Sequence, residues 1–213
     1  MRTLLKFVCG SSVQITVALL LCMAISVTAQ QIPRPEHPQP QMKRSEWMNL
    51  NGTWEFAETD DSKASFLDNQ VIYPDKIVVP FCRESKLSGL ERRGFVTNVW
   101  YRRTFELPGS WKSPRTRLHV GACDWYTKVY INGTFVGEHK GGSAPFAFDI
   151  TKQLKPGKNT VVIHAFDDTR SGLQALGKQC PQLESVGCQY TRTTGIWQTV
   201  WLEGVGSTFI KDF

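Results

Sequence analysis

Several short motifs that mark common enzyme classes are missing from this chain of 213 residues. It has no Gly-x-Ser-x-Gly segment and no glycine-rich phosphate loop, so neither a serine hydrolase of that type nor a nucleotide-binding enzyme is indicated. It has no Cys-x-x-Cys pair, and its four histidines lack metal-binding spacing, so we predict no metal site. Two of them, His119 and His164, fall in strand patterns and are expected to be structural.

Helical periodicity and compositional bias are scarce as well. No amphipathic helix pattern is longer than two turns and no Gly-X-Y repeat occurs, which argues against a fibrous protein. With 41% hydrophobic and 21% charged residues, the composition is not that of a disordered chain. The net charge is +6, but basic residues cluster only at 91–93 and 102–103, so we predict no nucleic-acid partner.

A long apolar run occurs only near the N-terminus. Arg2 and Lys6 precede an apolar stretch over 13–27, and Val27-Thr28-Ala29 then supplies the small residues of a cleavage site. This pattern predicts a signal peptide over 1–29, cleaved after Ala29. The run is short for a span of about 20 residues, so we predict an exported protein, periplasmic or extracellular, without a stable membrane anchor. An uncleaved anchor is the alternative.

Removing the predicted signal peptide changes the length, the net charge and the cysteine count from which the fold is inferred. The mature chain has 184 residues and a charge of +4, which suits one domain. Four of the six cysteines remain, and export permits disulfides. Cys180 and Cys188 lie in one loop-like stretch and are the predicted pair. Cys82 and Cys123 are either a second pair or buried thiols.

Ordered segments after the leader alternate polar and apolar residues with a period of two. The proline-rich segment 30–45 cannot be a helix interior and is predicted to be an arm, laid along a domain or free. Asn132-Gly133 between β-rich flanks predicts a type I′ hairpin turn. Further strands are predicted over 53–56, 77–79, 100–107, 117–122, 146–150, 160–166 and 196–202. Many short strands with turns between them predict an all-β sandwich.

The longest stretch without a strand pattern runs from Asp167 to Tyr190 and exceeds normal loop length. Such loops are usually functional or disordered. Asp167 and Asp168 begin this stretch at a strand end, the most site-like position of any acid in the chain. A glycosidase needs two carboxylates flanking the scissile bond, and no motif here demands such a pair, so we predict no catalytic residue. The seven tryptophans could offer a sugar platform, but core positions are favoured for them.

Five segments taken together are familiar in order and spacing: 47–56, 97–105, 129–139, 141–151 and 190–203. The first begins Trp-Met-Asn-Leu-Asn-Gly-Thr-Trp, and the last contains Thr-Gly-Ile-Trp-Gln-Thr-Val-Trp. Together they resemble the N-terminal sugar-binding domain of glycoside hydrolase family 2, the group of β-galactosidases, β-glucuronidases and β-mannosidases. The resemblance spans roughly Arg34 to Gly204.

The resemblance implies a jelly-roll β-sandwich like galactose-binding domains, expected over 46–205, with 206–213 as the start of a linker or next domain. It also implies that an immunoglobulin-like domain and a (β/α)8 barrel follow in the complete enzyme. That barrel carries both catalytic glutamates, which this chain lacks, and no cofactor is implied. Whether this chain is itself an enzyme is therefore left open.

The resemblance further implies residues that contact substrate. The Asn of the family's Thr-Asn-Val motif corresponds to Asn98, and an Asp of the β-galactosidase branch falls near Gln189, where this chain has no acid. We therefore expect sugar contacts at Asn98 and along the stretch that holds Asp167, Asp168 and Gln189. Two hypotheses follow: a carbohydrate-binding scaffold domain of a family 2 glycosidase, or an autonomous secreted carbohydrate-binding module.

Overall fold

The computed structural model describes residues 31–211. The predicted signal peptide over 1–29 lies outside the described residues. Within 31–211, no helix is long and apolar enough to span a membrane. The helical elements of this part are three short 3-10 turns, at Pro40–Met42, Lys86–Ser88 and Thr151–Gln153.

Twelve strands make up the rest of the regular structure in the described part. They are β1 (Trp47–Asn49), β2 (Gly52–Thr59), β3 (Asp75–Val79), β4 (Asn98–Glu106), β5 (Arg115–Val120), β6 (Cys123–Asp124), β7 (Tyr126–Ile131), β8 (Thr134–Lys140), β9 (Phe146–Asp149), β10 (Lys158–Phe166), β11 (Gly195–Ile196) and β12 (Val200–Val205). Burial alternates along β5 and β7, as the period-two pattern of the sequence predicts, whereas every residue of β12 is buried.

The strands form two large sheets and one small one, and every strand pair is antiparallel. The four-stranded sheet has the order β1-β12-β5-β9, and the six-stranded sheet has the order β3-β2-β4-β10-β7-β8. Strands β11 and β6 pair separately. Side chains from both large sheets form one hydrophobic core that includes Trp54, Phe56, Leu118, Ile163 and Leu202. The predicted all-β sandwich is confirmed.

The predicted hairpin turn is confirmed between β7 and β8. Asn132 has φ of 50° and Gly133 has φ of 79°, the left-handed conformation that a type I′ turn requires at both positions. The Asn132 side chain donates to the Gln153 carbonyl at 2.8 Å and accepts from the Thr160 N–H at 3.0 Å. The turn is therefore fixed both by its own backbone preference and by the neighbouring strand.

The prediction of one continuous strand over 196–202 is wrong. Ile196 pairs with Cys123 of β6, whereas Val200 pairs with Val120 of β5. The segment therefore changes partner between β11 and β12, and residues 197–199 lie between the two ladders. The alternating pattern continues through this change, which is why the sequence alone does not reveal it.

The proline-rich arm lies along the four-stranded sheet rather than free. The Arg34 carbonyl accepts a hydrogen bond from the Asn49 side chain at 2.8 Å. The His37 ring is buried and meets the Trp47 ring edge-on, with centroids 4.6 Å apart. At the other terminus, the Arg44 guanidinium donates to the Ile210 carbonyl at 2.7 Å. Both terminal segments therefore pack on the domain.

Candidate functional site

The start of β4 and the end of β10 lie side by side at one end of the six-stranded sheet. Asn98 is opposite Phe166 in the strand register, and the Asp167 N–H donates to the Thr97 carbonyl at 2.9 Å. The antiparallel pairing thus brings Asn98, Asp167 and Asp168, three of the four predicted site residues, to the same end of the sandwich.

The Asn98 side chain is buried and already has partners. Its Oδ1 lies 2.9 Å from His164 Nε2, and its Nδ2 donates to the Thr97 hydroxyl at 3.0 Å. The His164 ring stacks on Trp100 with centroids 4.1 Å apart. Burial, reinforced by the charge of Lys128, lowers the pKa of His164 to about 4, so the ring is neutral at pH 7. His164 is structural here, and a sugar contact of Asn98 stays a prediction.

Asp167 is almost fully buried, and its carboxyl interacts with the side chains of Gln174 and Thr194. Gln174 Nε2 donates to Asp167 Oδ1 at 2.6 Å, while Gln174 Oε1 accepts from the Asp168 N–H at 2.9 Å. Asp167 Oδ2 has no hydrogen-bond partner. Burial raises the pKa of Asp167 to about 6. Asp168 is less buried, and its carboxylate accepts from the Arg170 N–H at 3.2 Å.

A second buried acid, Asp124, lies at the same end and carries no motif in the sequence. Gln179 Nε2 donates to Asp124 Oδ2 at 2.7 Å, and the Thr193 N–H donates to Gln179 Oε1 at 2.8 Å. Burial, assisted by the negative charge of Asp167, raises the pKa of Asp124 to about 7. A Cβ at Gly142 would overlap the Asp124 carboxyl group. Only glycine therefore fits against this acid.

A buried ion-pair network adjoins these acids. Arg83 Nε lies 2.6 Å from Glu58 Oε2, and Arg83 Nη1 lies 3.3 Å from Glu84 Oε1. The other Glu84 oxygen accepts from the Thr194 N–H at 3.1 Å. Glu84 therefore connects the segment after β3 to the end of the long loop, which runs over 167–194.

Arg192 fixes the 167–194 loop from within. Its guanidinium donates to the carbonyls of Gln182 at 2.6 Å, Cys180 at 3.4 Å and Arg93. It also lies against the Phe95 ring, 4.1 Å from the centroid. The loop is therefore ordered by a buried cation that bonds backbone carbonyls, although the only regular pairing within it is two isolated bridges.

The outer part of the loop holds the remaining predicted residues. The Gln189 N–H donates to the Val186 carbonyl at 3.0 Å. The predicted Cys180–Cys188 disulfide is not formed, and all four cysteines within 31–211 are free. The buried Cys180 thiol lies 3.2 Å from the Glu184 carbonyl, whereas Cys188 is exposed. Nearness in sequence does not bring these thiols together.

Comparison with known proteins identifies the family. Residues 47–202 match the model described as "Glycosyl hydrolases family 2, sugar binding domain". The chain belongs to this family. It is 38% identical over 113 residues to a β-galactosidase of Thermoanaerobacter pseudethanolicus, covering 53% of this chain and 14% of that protein. It is 30% identical over 126 residues to a β-glucuronidase of Paenibacillus borealis, covering 54% and 20%.

Solved structures with the same fold include β-glucuronidases. A Bifidobacterium dentium β-glucuronidase complexed with coumarin-3-O-glucuronide superposes with a TM-score of 0.59 at 23% identity, covering 75% of this chain and 30% of that one. A Faecalibacterium prausnitzii β-glucuronidase gives 0.59 at 23%, covering 80% and 33%. At this identity the likeness concerns the fold alone. The chain spans about a fifth or less of the length of the curated relatives named above.

The described residues offer hydrogen-bonding groups at this end of the sandwich and no metal-holding cluster. Within 31–211, no group of three or more His, Cys, Asp or Glu side chains could hold a metal ion. Asp124 and Asp167 are buried and partly protonated near neutral pH, so they can both accept and donate hydrogen bonds. The core positions favoured for the tryptophans agree with the described part, where every tryptophan is buried or half-buried.

Proposed function

We propose that this domain is the carbohydrate-binding scaffold of a larger family 2 glycosidase, an enzyme that hydrolyses β-linked O-glycosyl bonds. The observation that carries the proposal is the polar cleft between residues 95–97, just before β4, and the 167–194 loop, inside the segment that matches the sugar-binding model. Asn98 and Asp167 flank this end of the sandwich. In the complete enzyme, an immunoglobulin-like domain and a (β/α)8 barrel would accompany it.

The surface of the 167–194 loop supports a partner domain. Leu173 is 89% exposed and Tyr190 is 59% exposed, and Leu183 and Val186 are also more than half exposed. Exposed large apolar side chains concentrated on one ordered loop are typical of an interaction surface. We propose that this loop packs against the catalytic barrel and forms one rim of its active site.

Kinetic measurements on this chain alone, and on an enzyme that also carries the barrel, test this function. The chain alone should show no turnover of aryl β-glycosides, because no catalytic carboxylate pair is proposed in it. In an enzyme that carries the barrel, Leu173→Ser combined with Tyr190→Ser should lower kcat/KM at least tenfold. The exposed Ile72→Ser, away from the loop, is the matched control. Turnover by the chain alone, or a double variant with unchanged kcat/KM, would contradict the proposal.

An autonomous secreted carbohydrate-binding module is the second candidate. It predicts saturable glycan binding without any partner domain, and the exposed Tyr190 ring is the aromatic group of the loop that could stack on a sugar. Tyr190→Ala should then abolish binding without changing the melting temperature. Tyr190→Ala binding as tightly as the wild type would exclude Tyr190 as the platform.

We also propose that the protein is exported, on the basis of the basic, apolar and small-residue pattern of its first 29 residues. Expression with the leader in a secretion-competent bacterium should give a product outside the cytoplasm whose first residue is Gln30. Terminal sequencing or intact mass measures this. A product that retains Met1–Ala29 in the membrane fraction would instead indicate an uncleaved anchor.

A further inference from the structure

A cavity of about 310 Å³ lies on the outer face of the four-stranded sheet, between the two terminal segments that pack there. Its apolar wall is formed around Phe146 at the start of β9. Its polar lining comes from the arm, from β5 and from the C-terminal segment and consists of Gln39, Arg117, His119 and Lys211. Among the described lining residues there are basic side chains and an amide but no acid. Segments distant in sequence therefore enclose a cavity with an excess of positive charge.

Arg117 supplies a positive charge that no acid of the described chain pairs with. In strand register it lies opposite Glu203 on one side and Asp149 on the other. Each of these acids is already paired with another cation. Arg44 lies 3.4 Å from Glu203, and Arg115 lies 2.7 Å from Asp149. Within 31–211, Arg117 forms no ion pair, so its charge is left over on this face.

The Arg117 side chain is held by an aromatic ring rather than by an anion. Its guanidinium lies 5.1 Å from the centroid of the Phe209 ring in the C-terminal segment. A guanidinium that lies over a ring keeps N–H groups at its edge for other acceptors. Arg117 is also half-buried, so it has lost part of its hydration before any ligand binds. Such a preorganised cation binds an anion with a smaller entropy cost than a mobile surface side chain does.

The layer beneath the cavity is short of hydrogen-bond acceptors. The His119 ring stacks on Trp201 with centroids 4.7 Å apart, and the buried Trp201 Nε1 donor has no hydrogen-bond partner. The same holds for His37 Nε2, whose ring meets Trp201 edge-on at 6.3 Å. His37 Nδ1 accepts from the Gln39 N–H at 3.1 Å, so in the neutral ring Nε2 carries the proton. Donors therefore outnumber acceptors around the cavity, which favours a ligand that accepts hydrogen bonds.

We propose that this cavity binds a phosphate or sulfate group, with Arg117 as its main contact and Lys211 and Gln39 in support. Such a group carries about two negative charges and offers acceptor oxygens in several directions. These oxygens suit donors that converge from the sheet and from both terminal segments. A carboxylate has one charge and only two oxygens, so it would engage fewer of these donors. The proposal is independent of the proposed function, which concerns the end of the sandwich that carries the 167–194 loop.

Titration of the full chain with three anions tests the site, at low and constant ionic strength because salt screens the attraction. Amide chemical shifts of Gln39, Arg117 and Lys211 report binding. Inorganic phosphate should bind with a Kd of about 1 mM, and acetate about tenfold more weakly. Methyl phosphate distinguishes the two sources of the group. If it binds more tightly than inorganic phosphate, a phosphate ester is the ligand, and if it binds more weakly, the free ion is; either order supports the site.

Substitution of Arg117 is the decisive comparison. Arg117→Gln should weaken phosphate binding about tenfold, and Arg117→Lys, which keeps the charge but not the paired N–H groups, should weaken it less. Arg93→Gln is the matched control, because it removes the same charge from an exposed arginine outside the cavity, and it should leave the Kd unchanged.

Three results would overturn the site. They are the absence of a saturable shift at the cavity amides, an equal phosphate affinity of the wild type and Arg117→Gln, and acetate binding as tight as that of phosphate. Equal melting temperatures of the wild type and the variants in phosphate-free buffer confirm that the comparison is made between folded proteins.

Discussion

Two connections of this domain are ordered by opposite means. The turn at Asn132-Gly133 has the conformation that its own two residues prefer, and it needs only a few contacts from the next strand. The 167–194 loop has no such local preference and is held by side-chain hydrogen bonds: those of its own Arg192 and Gln179, the latter to Asp124, and that of Glu84 outside it. A connection built on long-range contacts can place polar groups where a short turn cannot, but single substitutions should disturb it more.

The largest loss of stability is expected at Gly142, whose backbone lies against the buried Asp124 carboxyl group. Gly142→Ala would force a methyl group into the Asp124 carboxyl, and overpacking at a buried site of this kind costs about 3 kcal/mol of unfolding free energy. Urea unfolding measures this loss. Gly109→Ala is the control, because nothing lies near its added methyl group, and its stability should change by less than about 0.5 kcal/mol. Equal stability of the two variants would mean that the Asp124 contact is not tight.

Arg192→Met should release the loop while the sandwich remains folded. Three carbonyls lose their buried donor, which costs about 2 kcal/mol. The loss should be concentrated in the loop, so hydrogen exchange of the Cys180 and Tyr190 amides should quicken more than that of β4 and β10. Arg170→Gln, which contacts the same ring from an exposed position, should leave these rates unchanged. Uniformly faster exchange would instead show that Arg192 supports the whole domain.

Buried acids with raised pKa values, such as Asp124, should make the protein less stable as pH rises. An acid in an ion pair instead makes the protein less stable as pH falls. The folded state raises the pKa of Asp124 to about 7, so it retains a proton that the unfolded chain has released above about pH 4. The stability that this proton supplies is complete below the unfolded pKa and is lost as pH rises through 7. Relative to wild type, Asp124→Asn should therefore gain about 1 kcal/mol or more between pH 5 and 8.

Glu55 offers the contrasting case for that measurement. Its hydrogen bond with Arg102, at 2.6 Å, lowers the pKa of this carboxyl below its usual range. The stability it contributes is present above the unfolded pKa and is lost as pH falls through the folded pKa. Glu55→Gln should therefore be less stable than wild type at neutral pH, and this deficit should shrink only as pH falls through the folded pKa of Glu55. If Asp124→Asn behaved in the same way, the buried carboxyl would be ionised throughout.

The smallest effect is expected at the hairpin. Asn132→Gly keeps a residue that accepts positive φ and removes the side-chain hydrogen bonds to Gln153, Asn159 and Thr160, which should cost about 1 kcal/mol. Thermal unfolding measures this loss. Amide exchange within 167–194 should stay as in wild type, because the turn and the loop share no contacts. A change in the loop would show that the two connections are coupled.

Much of the fold could be read from local sequence. Alternating apolar residues predict strands because successive side chains of a strand face opposite sides, and Asn132-Gly133 predicts its turn because few residue pairs accept two positive φ values. The break after Ile196 was not predictable in this way. It arises because β11 and β12 pair with different strands, and the pairing partner is not encoded in the alternation.

The candidate site was predictable only in part. Asp167 could be located because it ends a strand and begins an unusually long loop, and Asn98 because it stands in a motif of the resemblance. Asp124, Gln179 and Arg192 gave no local signal. The Cys180–Cys188 pairing was wrong because nearness in sequence within a loop does not set which side chains turn inward.

By itself the sequence determined the all-β class, the hairpin and, through five ordered segments, the family. The hairpin depends on interactions between residues close in the chain. The all-β class and the family depend on sequence patterns that can be recognised without knowing which residues are in contact. Only the tertiary structure decided that Asp124 and Asp167 have raised pKa values, and that the Arg170 and Arg192 guanidinium groups both lie against the Phe95 ring. The reason is physical: burial and the balance of charge are properties of neighbours in space, and strand pairing brings those neighbours from distant parts of the chain.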